Sequence, residues 1–189
     1  MSDFTLEERG QKIIDACLDE KSASPYVVFR DVAHSDFVRM HGPEHHVLDG
    51  AAVLTAYRNA GGDVDLPAAL SELMPRGLRM PGAMCGRWGV CGATASVGAA
   101  LSILEGTGPL TNDDSWGSHM VYTSRALEAL SRIGGPRCCK RDAYVSLETA
   151  VDYIRERFGV RLEKGDINCE FHQQNSQCLG ERCPFYPNH

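Results

Sequence analysis

From Gly92 the chain reads Ala-Thr-Ala-Ser-Val-Gly-Ala-Ala-Leu-Ser-Ile-Leu-Glu, a run of small side chains that stops at Gly106, with Gly108-Pro109 behind it. A helix this poor in bulk fills little space by itself. Its use is to let neighbouring helices approach closely, so the run predicts a helical bundle with this segment at the centre. The remaining segments carry helix punctuation as well. Thr5-Leu6-Glu7-Glu8 is a capping box for a helix to about Glu20 with Ile13, Ile14, Cys17 and Leu18 on its apolar face. Gly42-Pro43 opens a helix to Asn59, where Gly61-Gly62 stops it, and Asp65-Leu66-Pro67 opens another that Pro75 should limit. Asn112 to Ser115 cap a helix from Trp116 to about Ile133, and a last amphipathic helix carries Tyr144, Leu147, Val151 and Ile154.

Only Tyr26-Val27-Val28-Phe29 has β-type composition, and a run this short fits a buried extended segment or a helix start as well as a strand. The expectation is a mainly α protein: one helical domain of five to six helices over residues 1–165, with an irregular cysteine-bearing tail, 166–189, packed on it. That tail holds Cys169, Cys178 and Cys183 among prolines and amides. It is too polar to form a core and needs a staple.

Composition then narrows function. The formal net charge is -6, which argues against general nucleic-acid binding, since that requires a basic face. No charged-then-apolar leader opens the sequence, and no apolar run approaches the roughly 18 residues that span a bilayer. A cytoplasmic protein is expected, with no membrane partner. In a reducing compartment eight cysteines favour metal binding or redox work over disulfides, although an even number leaves a disulfide framework as the alternative.

Seven of those cysteines fall into three groups: Cys85 with Cys91, the vicinal pair Cys138 and Cys139, and the tail set. None has the paired spacing of a zinc ribbon or finger. The tail set, closed by Pro184, is more like an iron-sulfur half-site, with Cys138 or Cys139 as the fourth ligand. Basic residues stand beside each group: Arg87 in the first loop, Arg137, Lys140 and Arg141 around the pair, and Arg182 next to Cys183. Positive neighbours favour thiolates and offset the charge of an anionic cluster. Cys17 instead has acidic neighbours in Asp15 and Asp19 and reads as inert core.

Cys91 opens the small-residue helix, where free amides and the helix dipole would stabilise its thiolate, so it is the candidate for reactivity, with Cys85 as its dithiol partner. The bland alternative is that Gly86, Gly89 and Gly92 simply make a tight turn. His41-Gly42-Pro43-Glu44-His45-His46 gathers three imidazoles and a carboxylate at one helix terminus. Such groups transfer protons or ligate metal near neutral pH, and they serve equally as polar end groups.

These four stretches, His41 to His46, Cys85 to Ala93, Gly134 to Arg141, and Cys178 through Cys183-Pro184-Phe185-Tyr186, occur in one order. Together they resemble an uncharacterised cysteine-rich family of anaerobic bacteria and archaea, sometimes fused to S-adenosylmethionine-dependent methyltransferases. The likeness runs from about residue 26 to the C-terminus, and the anaerobic setting it implies suits oxygen-sensitive iron-sulfur chemistry. A narrower similarity, over Cys91-Gly92-Ala93, is to redox-active proteins with that motif at a helix start.

The expectation for function is an iron-sulfur protein, of 4Fe-4S type, held by Cys169, Cys178 and Cys183 with Cys138 or Cys139. Cys85, Cys91, His45 and Glu44 would do redox or sulfur-group chemistry on a small molecule, or serve a redox partner protein. Arg87, Arg137, Lys140, His41 and His46 would contact the bound group. Two rivals stand beside it: a non-enzymatic module stapled by zinc or another soft metal, and a metal-free dithiol oxidoreductase built on Cys85 and Cys91. Homo-oligomers are compatible with all three.

Overall fold

A computed structural model describes residues 3–187. Eight α-helices lie among them: α1 Leu6–Asp19, α2 Pro25–Ala33, α3 His45–Asn59, α4 Leu66–Leu78, α5 Met84–Arg87, α6 Gly92–Leu104, α7 Ser118–Ile133 and α8 Cys139–Phe158. No strand occurs among the described residues. Eight exceeds the five or six expected for two local reasons. The Tyr26–Phe29 run is helical, because Pro25 supplies a preset first turn and Val28, Phe29 and Val32 all reach the core from α2. The cysteine loop also winds into the single turn of α5.

Thr5 caps α1 through both halves of the capping box. Helix α4 runs past Pro75, contrary to the expected stop. The ring sits on the exposed face, so the Ser71 carbonyl it leaves without an amide donor stays open to water, while Leu70, Leu73 and Gly77 bury the opposite face.

Helices α3 and α6 form the interior. Helix α6 contacts α3, α4, α7 and α8, whereas α3 contacts α1, α2, α4, α6 and α8, and every α3 residue from His45 to Tyr57 is buried. The small-residue helix thus shares the centre with the histidine helix. Their closeness depends on Gly50: its amide donates to Ser96 Oγ at 2.9 Å, and a Cβ there would lie 2.6 Å from the Ser96 carbonyl oxygen.

The tail has no long helix, only short turns at His172–Gln174 and Gly180–Arg182, yet Cys169, Phe171, Cys183 and Phe185 are buried against the body. A file of rings connects them, Phe29 to Tyr144 at 5.3 Å and Tyr144 to Phe185 at 5.4 Å, both edge-on. His34 of α2 stacks on Phe171 and bonds Glu170 at 2.8 Å. Among the described residues no helix is long and apolar enough to cross a membrane.

Candidate functional site

The start of α8 divides two cavities. Cys138, the N-cap residue, faces one; Cys139, the first helical residue, faces the other.

The first cavity is lined by four sulfurs, those of Cys138, Cys169, Cys178 and Cys183, and closed by Phe171, Leu179, Phe185 and Tyr186. Two of the sulfurs accept a backbone amide: the Arg141 N–H donates to Cys138 Sγ and the Gly180 N–H to Cys178 Sγ, both at 3.4 Å. Asn175 Nδ2 adds a second donor to Cys138 at 3.4 Å. The Arg141 guanidinium, buried and paired with Asp142 at 3.0 Å, supplies positive charge at the wall. Burial pushes the Cys138 and Cys183 thiols up and Cys169 to about 11, the direction that a bound cation reverses. The free space between the sulfurs is about 10 Å³, room for roughly one water.

The second cavity, about 190 Å³, lies between the histidine stretch and the Cys85–Ala93 stretch. Its wall carries the thiols of Cys85, Cys91 and Cys139, the imidazoles of His41, His45 and His46, and the carboxylates of Asp49 and Asp142. Gly92 brings the two stretches together, since a Cβ at that position would overlap the His46 ring at 2.1 Å. His46 Nδ1 lies 3.3 Å from the Met80 carbonyl. His41 Nε2 bonds Asn175 Oδ1 at 3.1 Å, and because the same amide donates to Cys138, a hydrogen-bonded path joins the two cavities.

Several groups here depart from their sequence roles. Cys91 is the N-cap of α6, but its side chain caps no amide, and burial and then the Asp142 carboxylate, 3.8 Å from Sγ, push its thiol well up. The helix terminus is outweighed, so this thiol keeps its proton at neutral pH. Burial likewise raises Cys139, to about 12. Glu44 is wholly buried; burial alone would raise it, yet hydrogen bonds from the Arg39 side chain and amide hold it below the usual carboxylate range. It is an anion that clamps the loop ahead of α3 and has no proton to give near neutral pH. His45 is held neutral by burial, then by the Lys140 charge, whose Nζ stands 3.3 Å from its Nε2. Lys140 itself is buried beneath both cavities, 4.7 Å above the Phe171 ring, and burial brings it down to about 8.

Of the residues expected at a site, Cys85, Cys91, His41, His45, His46 and Arg137 line the second cavity and Cys138, Cys169, Cys178 and Cys183 the first. Cys139 is separated from the tail set, and Arg87 lines neither. All eight cysteines are free thiols, with Cys17 buried in the core and pushed up to about 12. Among the described residues no three His, Cys, Asp or Glu side chains stand so as to hold a single metal ion. The spacing in the sequence already puts Asp49 four residues after His45 on one face of the helix, whereas Asp142 carries no such signal and only the fold brings it to Cys91.

Residues 13–186 match the family model of DUF5714, a family of unknown function. No curated protein and no solved structure matches the chain.

Proposed function

We propose that this chain, which belongs to the DUF5714 family of unknown function, binds an iron-sulfur cluster through Cys138, Cys169, Cys178 and Cys183 and places it beside a cavity for a small molecule. The observation that carries the reading is four cysteine sulfurs on one enclosed space, two of them, Cys138 and Cys178, accepting backbone amides. A neutral thiol is a weak acceptor, whereas a metal-bound thiolate accepts such bonds well, and they tune the potential of a cluster. The donor set is all sulfur, and aromatic side chains line the same space. Bound there, a cluster would supply one-electron chemistry.

The residues of the second cavity supply the rest. Cys91 and Cys139 present protonated thiols, His45 stays neutral, and the path from His41 through Asn175 to Cys138 couples this cavity to the sulfurs. One observation favours a second reading: the space between the sulfurs is small, and a zinc ion would need less room than a cluster.

Anaerobic purification or reconstitution followed by iron, sulfide and zinc analysis tests both. About four irons and four sulfides per chain, lost in Cys178→Ser, are expected. Zinc at one equivalent, tightly held and lost in the same variant, would establish the second reading instead, and no metal of either kind would sink both.

A further inference from the structure

Asp49 is completely buried, and among the described residues neither of its carboxylate oxygens has a hydrogen-bond donor. It faces the second cavity, where His45 Nδ1 stands 3.8 Å away, too far to hydrogen-bond. A buried acceptor pair without donors is destabilising, and a partner that arrives from outside would relieve it. His41 repeats the pattern. Its Nε2 is committed to Asn175 Oδ1, which leaves Nδ1 as a buried lone pair with no donor. At the rim of the same cavity the charge is opposite: Arg137 is exposed and makes no hydrogen bond or ion pair among the described residues.

We infer that this cavity binds a small zwitterion of amino-acid size, its ammonium group on Asp49 and its anionic group on Arg137. The size allows it: at about 190 Å³ the cavity has room for a molecule of this size. An ammonium group offers three donors to a wall whose unpartnered atoms include two carboxylate oxygens and the His41 lone pair. The guanidinium matches a carboxylate or similar oxyanion in a bidentate fork. The thiols of Cys91 and Cys139 line the same cavity, so the ligand would also meet sulfur. The inference rests on reading this cavity as the small-molecule site and is independent of what the four sulfurs hold.

Calorimetric titration of the intact chain at pH 7 with L-alanine, propionate and ethylamine tests it, with iron measured on the same samples. Alanine is expected to bind at least ten-fold more tightly than either fragment. Asp49→Asn should reduce alanine to the level of propionate, and Arg137→Gln, at an exposed position that does not endanger folding, to the level of ethylamine. Equal affinity for the three probes, binding of none, or full alanine affinity in Arg137→Gln would overturn the inference. Selective alanine binding by a chain that takes up no iron would sink only the cluster reading. Iron retained without selectivity would sink only this one.

Discussion

His45 is a neutral imidazole enclosed by protein, with the Lys140 ammonium on one side and Asp49 on the other. Burial first, and then the Lys140 charge, hold its pKa below the usual 6.5. Because the unfolded chain takes up that proton first, the contribution of His45 to stability is complete above pH 6.5 and is lost as pH falls below it. His41 and His46 are shifted the same way, chiefly by burial. Asp49, raised by burial, acts in the opposite sense, so the imidazole effect is best isolated as a difference. Between pH 7 and 5, urea denaturation of His45→Gln should show a loss of stability smaller than the parent's by about 2 kcal/mol, the most one imidazole held neutral can contribute over that range. Parallel curves would mean that His45 already carries a proton in the folded state. The same scale explains why Cys91 could not be read from its neighbours in sequence. Helix position argued for a low thiol pKa, but burial and a carboxylate 51 residues away decide it.

At the scale of elements, the helices were legible because caps, stops and apolar stripes are local. The capping box of α1 and the small-residue character of α6 appear in the fold as read. Pro75 misled because a proline ends a helix only when the lost bond cannot be replaced, and its exposed position lets water do so. Which helix would share the centre with α6 was not legible, since α3 carries His45, His46 and Asp49, residues that ordinarily mark a surface. Gly50 is the joint between the two. Gly50→Ala would force α3 and α6 apart and should destabilise the fold by about 1–3 kcal/mol, a drop of roughly 3–10 °C in thermal midpoint. An unchanged midpoint would show that the Ser96 backbone yields freely.

At the scale of the whole molecule, the tail is held by Phe171 and Phe185 in the core, by the Cys169 amide bonding the Phe185 carbonyl at 2.8 Å, and, on the proposed reading, by a metal centre. If that centre ties the tail to α8, stripping it under anaerobic conditions should speed tryptic cleavage at exposed Arg182 on the order of ten-fold. Cleavage at the same rate with and without iron would leave the tail secured by its aromatic contacts alone. The sequence by itself determined the helical class, most element boundaries and the stretches that carry chemistry, because these follow from short-range periodicity, capping and residue type. Only the tertiary structure decided how the chemistry is shared out. Cys138 and Cys139 are adjacent in the chain but point to different cavities, since Cys138 is the extended N-cap and Cys139 the first helical residue of α8. Cys91 meets Asp142, and Asp49 is buried without a donor among the described residues, because packing brings together groups that are distant in the chain.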